Sequence, residues 1–165
     1  MVTTPEEDKL HMTQILREQL TGAWRLVSYI EQPRDGSPQR QPMTDRPQGL
    51  ILYTPDGYMS AQLCSPDRPR FASGDWFIAS PEEFEAEATT YIAYSGPWEP
   101  GKQDGTIIHG MDVSLFPNWC GQRQLRRARI EGDRLFLSSV EPVRSGGVEI
   151  DATLEWQRVT PYSKV

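Results

Sequence analysis

The chain is poor in the residues that build metal centres, disulfide frameworks and nucleophilic sites. Its 165 residues include two cysteines, Cys64 and Cys120, and two histidines, His11 and His109. With no CxxC pair and no Cys/His cluster, neither a zinc site nor a disulfide framework is expected, and no metal ligands are assigned. No G-x-S-x-G elbow is present to activate a serine, and Cys120 in Asn-Trp-Cys-Gly has only the generic reactivity of a thiol. Positive charge is short as well. The 17 Lys and Arg stand against 23 Asp and Glu, a net charge of -6 that disfavours a phosphate-binding face and nucleic acid as a partner. No run reaches transmembrane length, and Met1 to Leu20 is acidic and without the apolar core of a signal peptide. A cytoplasmic protein with free thiols and no membrane partner is expected.

What is present suits one packed domain. A chain of this length buries about 70% of its unfolded surface, enough for a core with a cavity. Hydrophobic residues at 37%, with five Trp, argue against disorder, whereas 14 prolines imply long polar connections. Two capping boxes with proline at the first helical position, Thr4-Pro5-Glu6-Glu7 and Ser80-Pro81-Glu82-Glu83, open two helices. Met12, Ile15, Leu16 and Leu20 share one stripe of the first, and Phe84, Ala88 and Tyr91 one face of the second.

The rest reads as strands, at about 23–32, 48–54, 57–64, 91–99, 106–116, 122–131, 134–140 and 149–159. Pro55-Asp56-Gly57 and Glu131-Gly132-Asp133 carry hairpin chemistry, so sequence neighbours pair antiparallel. About eight such strands favour an all-β fold: a closed antiparallel barrel with an N-terminal helix and one short inserted helix. A two-sheet sandwich is the competitor. The division expected is a helix over residues 1–20 and a barrel over 21–160. Two long connections, 33–47 and 65–80, read as lids or mouth loops.

Alternation sorts the strands into faces. Ile107, His109, Met111, Val113 and Leu115 share one face; Gln124, Arg126, Ala128 and Ile130 share another. Further inward sets are Trp24, Leu26, Ser28 and Ile30; Tyr94, Gly96 and Trp98; Leu135, Leu137 and Ser139; and Ala152, Leu154, Trp156 and Arg158. For 49–54 and 58–63 both faces are apolar and neither is assigned. The inferred lumen is thus apolar with a few polar groups, the make-up of a small-molecule site. An inward Arg126 needs a carboxylate, a ligand anion or an aromatic face, and Arg158 can plug the barrel over Trp24. Five of the basic residues fall in Gln122 to Arg134, a run whose ordinary reading is a solvated strand face.

Leu20 to Tyr29 (LTGAWRLVSY), Gly49 to Leu63 (GLILYTPDGYMSAQL), Arg70 to Asp75, Tyr91 to Glu99, His109 to Arg126 and Gly132 to Ser139 together resemble the bacterial and fungal lipocalin-like domain family. Gly22-Ala23-Trp24 also fits the lipocalin G-x-W signature at the start of the first strand. The resemblance implies a lipocalin-like barrel and a small hydrophobic ligand, in a functionally varied family often tied to natural-product pathways. There such barrels serve as isomerases, cyclases or dehydratases without cofactor.

Two functions follow. One is a cofactor-independent isomerase or cyclase acting on a polyketide- or terpenoid-like metabolite. His109 moves the proton, Arg126 with Gln124 stabilises an enolate or polarises a carbonyl, and Tyr94 donates to a second oxygen. Trp24, Ser28, Trp98, Met111, Gln124, Ser139 and Trp156 are the expected ligand contacts. The other is a carrier with the same cavity and no chemistry, in which Arg126 and His109 hold a carboxylate or phenolate. A structural or oligomerisation role ranks third, since a lumen filled by Trp24, Trp98 and Trp156 would leave nothing to bind. If a carboxylate takes part, Asp75 in the lid is favoured over the outward-facing Asp112, and His11 reads as solvated. The partner expected is a small hydrophobic ligand or substrate, with a homodimer left open.

Overall fold

A computed structural model describes residues 4–161; the first three residues of the expected N-terminal segment lie outside it. Helix α1, Pro5–Leu20, starts where Thr4 Oγ1 accepts from the Glu7 N–H and the Glu7 carboxylate accepts from the Thr4 N–H. Helix α2, Pro81–Thr89, begins with the same reciprocal box between Ser80 and Glu83. Each box satisfies donors that a helix N-terminus otherwise leaves unpaired, which fixes both starts in sequence.

The strands are β1 Gly22–Pro33, β2 Gln48–Tyr53, β3 Tyr58–Cys64, β4 Tyr91–Pro100, β5 Thr106–Gly110, β6 Val113–Ser114, β7 Arg123–Glu131, β8 Arg134–Ser139, β9 Val143–Ser145 and β10 Val148–Arg158. Every pairing is antiparallel. Eight strands run in the order β1-β2-β3-β4-β5-β7-β8-β10, and pairing of β10 with β1 closes the barrel. A closed barrel leaves no free edge and encloses a lumen wide enough for side chains or one small ligand. The short β6 and β9 are side branches on β4 and β10. No described helix is long and apolar enough to cross a membrane.

Two one-residue slips redirect the faces. In β1 the pairing with β10 moves between Leu26–Trp156 and Ser28–Glu155. After that bulge Tyr29 packs on the core and Glu31 is buried, so Ser28 and Ile30, expected inward, are turned to the outer side. The expected strand 106–116 likewise breaks after Gly110. Met111 bonds back to Gly121 and Gln122, Asp112 N–H reaches Ser95, and the β4 register moves by one between Trp98–His109 and Tyr94–Ser114. Val113 and Leu115, expected beside His109, are therefore exposed. A single inserted residue inverts every side chain beyond it, which is why period-two alternation fails there. Gly96 marks the second slip, since a Cβ on it would collide with the Gly110 carbonyl.

The faces left unassigned resolve as Ile51 and Tyr53 inward from β2 and Met59, Ala61 and Leu63 inward from β3. Leu50, Leu52 and Tyr58 face out.

Candidate functional site

One end of the barrel is sealed. Trp24 is fully buried, its indole N–H donates to the Leu20 carbonyl at 2.9 Å, and the Arg158 guanidinium lies 3.9 Å from its ring centre. Arg158 also donates to the carbonyls of Thr21 and Gln19, tying β10 to the end of α1. Trp24, expected as a ligand contact, sits at this floor, where its size and its satisfied N–H suit a plug. Arg158 lies where the sequence places it.

Above the floor the lumen carries a polar cluster. His109 on β5 is completely buried, and its Nε2 lies 2.8 Å from the Tyr53 hydroxyl of β2. Among the described residues the Tyr53 proton has no other acceptor, so the tautomer that pairs it is the one in which Tyr53 donates to Nε2 and the imidazole proton sits on Nδ1. That Nδ1 makes no hydrogen bond among the described residues. Trp98, paired with His109 across β4 and β5, stacks edge-on to Tyr53 at 5.1 Å, and its indole N–H is also unpaired. The buried Trp156 of β10 presents a third unpaired N–H.

Tyr94 packs 6.0 Å from His109, centre to centre, and lies within reach of the Arg126 charge of β7. Arg126 donates to the Gln124 side chain and to the Leu125 carbonyl. Burial holds the Tyr94 and Tyr53 phenols above their ordinary range, with the Arg126 charge acting in opposition. Burial, reinforced by Arg126, pulls the His109 imidazole down to about 3. Desolvation disfavours the charged form, and a nearby cation adds to it, so His109 is neutral at physiological pH.

Two further groups escape the sequence reading. The Tyr29 hydroxyl donates to Glu31 at 2.7 Å, and the buried Glu31 carboxylate pairs with Arg40 at 2.7 Å. Arg40 donates in turn to the Ser145 carbonyl, strapping the 34–47 connection to β9. Tyr29 was hidden by the β1 bulge, and Tyr53 by a strand apolar on both sides. Glu31 gave no signal except as a carboxylate in a strand.

The structure therefore brings His109, Arg126, Tyr94, Gln124, Trp98 and Trp156 to one lumen. Ser139 sits opposite Arg126, its hydroxyl accepting the Ala152 N–H at 3.0 Å, and Met111 is buried under the second slip. Ser28 is not in the lumen, because the bulge turns it outward beside Glu155. Asp75 is exposed and caps Phe77 N–H at 2.9 Å; Asp112 and His11 are exposed, and Cys64 and Cys120 are free thiols. No group of three or more His, Cys, Asp or Glu among the described residues could hold a metal ion.

Arg126 and Gln124 also border a cavity of about 630 Å³ at the open end, walled by Phe116, Trp119, Pro142 and Val143. This mouth leads from solvent to the guanidinium that acts on the lumen.

An antiparallel eight-strand barrel with a sealed floor and an aromatic and aliphatic lumen that holds a few polar groups defines a small-molecule-binding class of protein. The chain belongs to the lipocalin-like domain family, whose profile matches residues 21–159. It is 34% identical over 107 residues to the 4'-hydroxy-3'-methoxypropiophenone carrier protein ppsC of Aspergillus oryzae, an alignment covering 61% of this chain and 96% of the relative.

Proposed function

We propose that the protein is a carrier for a small oxygenated aromatic molecule, held in the barrel and released unchanged. The state of His109 carries this reading. A general base works best with a pKa near the operating pH, whereas this imidazole is held at about 3 by burial and by Arg126. It serves instead as a fixed hydrogen-bonding group, oriented by Tyr53. The aromatic wall with few polar groups supports the same reading, as does the carrier name of the Aspergillus relative, whose stated cargo is a phenolic aryl ketone.

The second reading is the cofactor-independent isomerase or cyclase. One observation favours it: Tyr53, His109, Tyr94 and Arg126 lie in an unbroken run that could polarise a carbonyl. Titration of the full chain with 4'-hydroxy-3'-methoxypropiophenone, followed by tryptophan fluorescence and by mass spectrometry of bound and free compound, separates the two. A carrier gives saturable one-to-one binding with the mass of the compound unchanged, and His109→Gln weakens it by about tenfold. A new product mass that vanishes in His109→Gln establishes the enzyme and ends the carrier reading. Absence of binding ends both for this class of compound.

A further inference from the structure

The polar atoms of the lumen are unevenly committed. Tyr29 gives its proton to Glu31, and Tyr53 gives its proton to His109 Nε2. The Glu31 oxygens are taken by Tyr29 and Arg40, and the Gln124 oxygen by Arg126. What is left unpaired among the described residues is hydrogen: Trp98 Nε1–H, Trp156 Nε1–H and, in the tautomer that pairs Tyr53, His109 Nδ1–H. Arg126 adds a half-buried positive charge that enters no ion pair among the described residues, whereas Glu31 at the same level is matched by Arg40. A buried donor or cation without a counterpart is costly, so a complementary ligand supplies acceptors and negative charge rather than further donors.

We infer that the barrel takes its aromatic ligand as an anion, a phenolate or carboxylate seated against Arg126, with the ligand's remaining oxygen received by the unpaired N–H groups. The inference rests on the carrier reading and deepens it by specifying the ionisation state of the cargo. A neutral phenol offers these unpaired donors fewer lone pairs and gives Arg126 no opposite charge, whereas its phenolate supplies both. The groups around that anion are Tyr94 of β4, His109 of β5, Tyr53 of β2, and Tyr29 and Glu31 of β1, with Arg123, Glu141 and Arg144 at the mouth. Arg123 is paired with Glu99 and Arg40 with Glu31, which leaves Arg126 and Arg144 at the mouth outside any ion pair among the described residues; of the two, it is the Arg126 charge that reaches His109 and Tyr94. A carrier built this way extracts the ionised form of a phenol from neutral solution and releases it when the phenolate is protonated.

The probe is para-hydroxyacetophenone, whose phenolate absorbs at longer wavelength than its phenol, bound to the full chain and titrated by absorbance. Binding itself is followed separately by tryptophan fluorescence. The bound phenol is expected to ionise about 1–3 units below the free compound, the shift an adjacent cation produces. Arg126→Gln should abolish the downward shift and weaken binding of the probe by about tenfold or more, and Arg126→Lys should keep most of both. The non-ionisable para-methoxyacetophenone should bind at least about tenfold more weakly. Binding with an unshifted or raised phenol pKa overturns the inference and leaves the carrier reading standing. Failure of the probe to bind at all overturns both.

Discussion

The two ends of the barrel use one inventory, buried tryptophan and an inward arginine, in opposite ways. At the floor Trp24 and Arg158 are fully matched: the indole N–H has the Leu20 carbonyl, and the guanidinium has two backbone carbonyls and an aromatic face. In the lumen Trp98, Trp156 and His109 keep nitrogens unpaired among the described residues, where Arg126 also has no carboxylate partner. The floor is built for stability, and the lumen holds back hydrogen-bonding capacity for something else. A satisfied polar group and an unsatisfied one look identical in sequence; their partners separate them.

The largest effect that can break this comparison is on stability. Trp24→Ala should cost about 3–5 kcal/mol in urea denaturation, the cost of deleting a large buried aromatic. The like-for-like test is between the two arginines. Arg158→Met should lose about 1–3 kcal/mol with its carbonyl bonds and its contact over Trp24, whereas Arg126→Met should stay within about 1 kcal/mol of wild type. Equal losses at the two positions would show that Arg126 is structural and would abolish the distinction between floor and lumen.

A smaller effect comes from pH and sharpens the same contrast. The unfolded imidazole of His109 has the ordinary value near 6.5, and the folded one is pulled down to about 3, first by burial and then by Arg126. Between these values the unfolded chain binds a proton that the folded chain refuses. Stability is therefore unpenalised above about pH 6.5 and falls as the pH drops toward 3, by about 1.4 kcal/mol per unit from this group. Urea denaturation of wild type should lose about 2 kcal/mol more than His109→Gln between neutral pH and about pH 5. The remaining titrating groups are common to both proteins, so parallel slopes would mean that His109 is solvated and is no part of a desolvated lumen.

The architecture was legible because its signals are local. Two capping boxes fixed the helix starts, and Pro55-Asp56-Gly57 and Glu131-Gly132-Asp133 joined strands that do pair. The short β9 left no such mark. The site was legible only in part. His109, Tyr94, Arg126 and Gln124 follow from alternation because no slip separates them from the residues that set the face of their own strand. Tyr29, Glu31 and Ser28 do not, because the β1 bulge inverts everything beyond Leu26, and a bulge of ordinary residues has no sequence signature. Tyr53 was lost for another reason: Leu50, Leu52 and Tyr58 put apolar side chains on the outside of β2 and β3, which erases the contrast that alternation needs.

The bulge itself gives the smallest expected effect and a sharp test of which serine faces the ligand. Ser28 and Ser139 read alike in sequence as inward hydroxyls, yet Ser28 lies beside Glu155 on the outer face and Ser139 lies opposite Arg126. Ser28→Lys should change stability by no more than about 0.5 kcal/mol, since its ammonium reaches water and has Glu155 as a neighbour. Ser139→Lys should cost several kcal/mol, because it drives a second cation into the lumen against Arg126. Were Ser28→Lys as damaging as Ser139→Lys in denaturant titration, β1 would run without its slip. Tyr29 and Glu31 would then face outward, and the lumen would lose its one matched carboxylate.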